Sequence, residues 1–268
     1  MTYRLAGSQG ALSALRGGMA SQAWREEVLR IPSRDIPPSP LVTTLYLPHG
    51  RGPFPLWVFN HGKHYGPAAQ QSRCQPLAFV RVLTAAGFAV AAPNRKGFAD
   101  SGGVHLAHWR NPLSGALFCA RDIDAAIRGL VRHPCIQADR IFVAGVSYGG
   151  LATLAYGMKP HHGVRALVNF SGGLRAEHEP GWQQPLLLAF RHLGRYARRP
   201  SLWFYGENDH YWSMDFAQSL HRQYVQSNHD ARLINTGVFK SDAHLLVYDE
   251  AGNDRWWPHV RELIESNP

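Results

Sequence analysis

The sequence predicts an α/β fold: a mostly parallel central sheet with helices on both faces and no large lid domain. Three observations carry that expectation. Short apolar runs alternate along the chain with stretches whose apolar residues recur at helical spacing, the pattern of repeated βαβ units. One run, Ile141–Val146, is apolar throughout, as a central parallel strand covered on both faces should be. The chain has 268 residues, 45% of them hydrophobic and 18% charged, enough for one domain with a large core and too apolar for general disorder.

The elements follow in order. Glu27–Ile31 and Leu41–Leu47 read as strands joined by the proline-rich Pro32–Pro40; proline cannot donate to a ladder, so this connection should be the edge loop of a hairpin. Leu56–Asn60 and Phe88–Ala92 are further short strands. Leu77, Val80 and Leu83 between them mark a helix that ends at Gly87. Leu117, Ala120, Ile123, Ile127 and Leu130 stripe a second helix, and Leu151, Leu154, Ala155 and Met158 a third, directly behind Ile141–Val146. Ala166–Phe170, Leu202–Tyr205 and Arg232–Asn235 complete the strands. Helices are expected at Leu186–Tyr196, around Phe216, Leu220 and Tyr224, and around Val260, Leu263 and Ile264.

Residues 1–23 lack a continuous apolar run and read as an irregular leader or a cloning remnant, with Met19 a plausible natural start; residues 24–268 read as one domain. With no secretory signal visible, the chain as it stands is expected in the cytoplasm, or outside it if the native start was replaced. No stretch reaches the roughly 18 apolar residues that cross a bilayer. The net charge is +9, but the basic residues are scattered; Arg191, Arg195, Arg198 and Arg199 fit a solvated helix face, and no nucleic-acid motif accompanies them. Cys74, Cys119 and Cys135 cannot all pair and have no zinc spacing, and Cys119 sits on an apolar helix stripe.

Gly145-Val146-Ser147-Tyr148-Gly149 carries the chemistry. A G-x-S-x-G pentapeptide alone is weak, but this one has a buried strand before it and a helix after it. A nucleophile on such a tight turn crowds its neighbours, and glycines on either side remove the Cβ atoms that would collide. A serine hydroxyl needs a base to take its proton, and the base needs an acid to fix its tautomer. The expected chain order is serine, acid, histidine. Asp209 lies just past the strand Leu202–Tyr205; its rivals are Glu207, too near the strand, and Asp215, on the next helix. His244 follows the last strand, whereas His229 precedes that strand and His259 belongs to the final helix. Two backbone N–H groups should hold the oxyanion. One is that of Tyr148; the other belongs to the loop after Leu56–Asn60, Lys63 first and His64 as the alternative. The side chain of His61 reads as a structural hydrogen-bonding group.

From Trp24 onward the chain resembles the dienelactone hydrolase-like serine esterases of the α/β-hydrolase superfamily. The resemblance rests on Asn60-His61-Gly62, Asn94-Arg95-Lys96-Gly97-Phe98-Ala99-Asp100-Ser101-Gly102-Gly103, the Ser147 turn, Gly206-Glu207-Asn208-Asp209 and His244. It implies the α/β-hydrolase fold and a cofactor-free esterase acting on carboxylic esters or lactones. Dienelactone hydrolases proper carry cysteine where this chain has Ser147, which turns the expectation toward a general carboxylesterase. A peptidase, thioesterase or acyltransferase would use the same residues, and a non-catalytic binding protein would be expected to have lost one of them.

His64, Tyr65, Trp109, Trp182, Tyr211 and Trp212 fall on loops beside these residues and are candidates for an apolar substrate pocket. His105 and His108 could offer two metal ligands, but no acidic third ligand stands nearby, so no metal is expected. About thirty residues separate Phe170 from Leu202, with one helix among them, too few for a separate lid.

Overall fold

The computed structural model describes residues 24–106, 111–175, 179–227 and 230–268. Eight strands form one sheet: β1 (Arg25–Pro32), β2 (Pro40–Leu47), β3 (Phe54–Asn60), β4 (Ala89–Pro93), β5 (Ile136–Val146), β6 (Val164–Phe170), β7 (Ser201–Tyr205) and β8 (Ala231–Asn235). Their spatial order is β1-β2-β4-β3-β5-β6-β7-β8. β1 and β2 form the expected antiparallel hairpin, closing with Pro32 opposite Pro40, and β2 runs antiparallel to β4. From β4 to β8 every pairing is parallel. Residues 141–146 of β5, in the middle of the sheet, are all buried, while β8 at the edge is half exposed.

Among the described residues six α-helices cover the two faces: α1 (Leu77–Ala85), α2 (Pro112–Leu130), α3 (Tyr148–Tyr156), α4 (Gln183–Tyr196), α5 (Met214–Val225) and α6 (Asn253–Glu265). Residues of α2, α3, α4 and α5 share one apolar core with alternate strand positions such as Leu56, Val143 and Trp203. α1 and α6 share the other, packed on Trp57, Phe142 and Phe204. Each face of the sheet is thus sealed, which is why the central strands read as unbroken apolar runs. The expected elements are all present. β5 starts at Ile136, which is buried but cut off from the apolar run by the mostly polar residues 137–140, and α4 starts at Gln183, its first residues exposed and without an apolar pattern.

Between β6 and β7 the described residues hold only α4. No helix among the described residues is long and apolar enough to cross a membrane. Cys119 is buried and, like Cys74 and Cys135, is a free thiol.

Candidate active site

β5 ends at Val146 and α3 begins at Tyr148, so Ser147 alone makes the turn, with φ 56° and ψ −125°. A non-glycine residue at positive φ is strained, and the surroundings must hold it there. They do so by close approach. A Cβ at Gly149 would overlap Asn60 O, and one at Gly145 would overlap Gly149 O. The Ser147 backbone is tied on both sides, its N–H donating to Phe170 O (2.9 Å) and its carbonyl accepting from Gly173 N–H (3.1 Å). The side chain stays half exposed at the carboxyl edge of the sheet, where clefts in open α/β folds form.

Asp209 and His244 meet at the same edge. Both Asp209 oxygens lie 3.0–3.1 Å from His244 Nδ1, the aspartate side chain is wholly buried, and the histidine nearly so. The N–H groups of Tyr211 and Trp212 donate to Asp209 Oδ1 (2.8 and 3.1 Å), fixing the carboxylate. An acceptor at Nδ1 puts the proton on that nitrogen and leaves Nε2 free to accept one. Among the described residues no hydrogen bond joins Ser147 Oγ to His244. Of the rival acids, Glu207 is exposed and bound by Asn235 Nδ2 (3.1 Å), and Asp215 lies in the first turn of α5. His259 sits on α6, and His229 lies outside the described residues.

The loop after β3 lies against the serine: a Cβ on Gly62 would stand 3.2 Å from Ser147 Cβ. The N–H of His64 is already engaged, donating to Gln71 Oε1 (3.1 Å), while Gln71 Nε2 donates back to His64 O (2.9 Å). That pairing engages the N–H of the alternative donor, His64. The Lys63 ammonium folds back onto His64 O and Gly66 O (3.1 and 3.2 Å). Its pKa is lowered by partial burial. Tyr148 begins α3, where first-turn N–H groups have no partner within the helix.

The aromatic candidates divide. Tyr65 and His64 are exposed, and Tyr211 lies half-buried against the His244 ring at 4.5 Å. Trp212 is buried, its indole N–H donating to Ser171 O (2.9 Å) and its ring wedged between Gly173, Trp182 and Phe216. It therefore braces the loops and presents no free face, whereas Trp182 is half-buried beside it. Trp109 and His108 lie outside the described residues. No group of three His, Cys, Asp or Glu among the described residues is placed to hold a metal.

Three polar residues with no role assigned from the sequence also shape the site. Asp242 Oδ1 accepts from His210 N–H (3.1 Å) and His244 N–H (2.9 Å), tying the loop after β7 to the loop after β8. Asn208 clamps the same two loops through Phe239 N–H (2.9 Å) and Lys240 O (3.0 Å). Gln71 holds the loop after β3, as described. Their partners lie up to 32 residues away in the chain, so no local pattern announces them.

A sequence profile of the serine aminopeptidases, S33, matches residues 66–232, more than half the chain and including Ser147 and Asp209. The chain belongs to this serine hydrolase family. No curated protein matches the sequence. Solved structures that share the α/β-hydrolase fold include a protein assigned as a dienelactone hydrolase from Klebsiella pneumoniae (16% identity, 91% of this chain and 99% of that one, TM-score 0.66). The Pyrococcus furiosus esterase Pf2001 is similar at 15% identity (91% and 93% covered, TM-score 0.65). The Pyrococcus horikoshii acylaminoacyl peptidase matches at 15% identity, but over only 42% of its own length (91% of this chain, TM-score 0.66). The family member described here thus has the expected eight-stranded hydrolase fold, with neighbours that are dienelactone hydrolase-like proteins, esterases and peptidases.

Proposed function

We propose that this chain hydrolyses carboxylic esters or lactones through an acyl-enzyme, with Ser147 as nucleophile, His244 as base and Asp209 as acid. The observation that carries the reading is the strained Ser147 turn at the sheet edge that also holds the buried Asp209–His244 pair. In the first step Ser147 Oγ bonds to the substrate carbonyl carbon while His244 Nε2 takes the hydroxyl proton. The carbonyl electrons move to oxygen, held by the Tyr148 and Lys63 N–H groups. As the tetrahedral intermediate collapses, His244 passes its proton to the leaving alcohol, and water then repeats the sequence to release the acid. The scheme uses no metal or organic cofactor. Tyr65, Tyr211 and Trp182 would line an open apolar approach for a small ester.

A peptidase reading is favoured by the family description and by the acylaminoacyl peptidase neighbour. One assay separates the two: purified protein is given p-nitrophenyl esters of increasing acyl length and, in parallel, aminoacyl p-nitroanilides. Ester turnover, lost in Ser147→Ala together with labelling by a fluorophosphonate, supports the esterase. Faster turnover of the anilides would replace it with the peptidase, and label on another serine would refute the assignment of Ser147.

A further inference from the structure

Arg95 follows β4 and is buried to 2% exposure, yet no carboxylate pairs with it among the described residues. A buried charge is costly unless something else answers it. Here backbone carbonyls and aromatic faces do. Nη1 donates to His61 O (2.6 Å) and Nη2 to Gly62 O (3.3 Å). The guanidinium carbon lies 5.2 Å from the Phe98 ring centre and 5.3 Å from that of Tyr148. The same residue's backbone N–H donates to His61 Nε2 (3.1 Å), so His61 carries its proton on Nδ1, 2.6 Å from Gly62 O. Burial and the Arg95 charge hold the His61 pKa well below the usual imidazole range, which keeps that tautomer neutral.

Two donors therefore converge on Gly62 O, and the peptide unit bearing that carbonyl has the N–H of Lys63 at its other end. Withdrawing electron density at the oxygen polarises the unit, makes its N–H a stronger donor and fixes its direction; such cooperativity strengthens each bond by about 10–30%. Through the aromatic ring, the guanidinium also rests against Tyr148, whose N–H is the second proposed donor. Resting on the esterase reading above, we infer that Arg95, with His61, is a positioning residue of the oxyanion hole, holding and polarising the 62–63 peptide for the transition state. Arginine suits this task because its planar fork reaches two carbonyls at once, which a lysine ammonium does less well. The Arg95 charge behind the loop, held by dipoles and ring faces, further favours an anion in front of it.

The test compares wild type with Arg95→Met, Arg95→Lys and His61→Leu, using p-nitrophenyl butyrate and an alkyl trifluoromethyl ketone. Ser147 would add to the ketone to give a bound oxyanion that mimics the transition state. Fluorophosphonate titration counts competent sites, so a misfolded fraction lowers the titre and not the turnover per site. Arg95→Met should lower kcat per site by about 10- to 100-fold, a fraction of what losing a whole donor costs. KM should stay within about twofold, and ketone affinity should fall in step with kcat. Arg95→Lys should recover part of both losses, and His61→Leu should show a smaller loss with the same pairing. If Arg95→Met does not fold, the other two variants still decide. Unchanged kcat per site and ketone affinity in Arg95→Lys and His61→Leu, or a loss confined to KM, would overturn the inference while leaving the esterase standing. Wild-type protein that neither turns over the ester nor binds the ketone would overturn both.

Discussion

Replacing Asp209 by asparagine tests the proposed chemistry with little change in shape. Asp209 Oδ1 accepts the N–H groups of Tyr211 and Trp212, so an asparagine at 209 must turn its amide oxygen to them. Its NH2 then occupies the Oδ2 position, 3.0 Å from His244 Nδ1. A donor there opposes a proton on Nδ1 and, against the 3.1 Å contact that Nδ1 keeps to the amide oxygen, favours the tautomer with its proton on Nε2, the nitrogen that should take the proton of Ser147. The expected loss in kcat is about 10⁴-fold, or roughly 5.5 kcal/mol of barrier, from the wrong tautomer alone. Stability should change little, since the two backbone donors keep their acceptor. The assay is p-nitrophenyl butyrate turnover per titrated site, with the thermal midpoint measured alongside. A variant that keeps more than a tenth of wild-type kcat, while Glu207→Gln or Asp215→Asn loses it, would show that Asp209 is not the acid.

Other outcomes follow from neighbouring contacts. Asp242→Ala frees the base loop from the acid loop, and kcat should fall by about 10- to 100-fold through misplacement of His244, with a modest loss of thermal stability. A larger effect on KM than on kcat would speak against that role. Gly149→Ala drives a Cβ into Asn60 O, so the variant should be insoluble or melt far below wild type; normal expression and melting would show that the crowding at the turn is overstated. Because His61 stays neutral in the fold while it protonates near its ordinary pKa when unfolded, the unfolded chain binds the extra proton below about pH 6.5. Stability should therefore decline as pH is lowered through that region, by at most about 1.4 kcal/mol per pH unit from this group, and the decline should be shallower in His61→Asn. An equal loss of unfolding free energy between pH 7 and 5.5 in wild type and His61→Asn, from denaturant titrations at each pH, would refute it.

The sequence by itself determined the fold and the positions of the candidate chemistry. Strand and helix leave separate periodicities wherever one face or both are buried, so the unbroken run of β5 and the stripes of α2 and α5 could be read directly. Ser147 could be read because its signature is local: the glycines stand within two residues of it, although the contact that requires Gly149 comes from Asn60 on another strand. Asp209 and His244 were reached through chain order and strand ends, which also depend on position along the chain. What only the tertiary structure decided is the web around them. Asp242 reaching His210, Trp212 wedged under Ser171 and Arg95 gripping the carbonyls of residues 61 and 62 are pairings between loops that meet only at the sheet edge. A polar side chain in a loop has no periodicity, and its partner is set by how distant strands happen to end side by side. Burial of a bare arginine is likewise invisible in one dimension, because the groups that answer its charge are carbonyls and ring faces that every sequence contains.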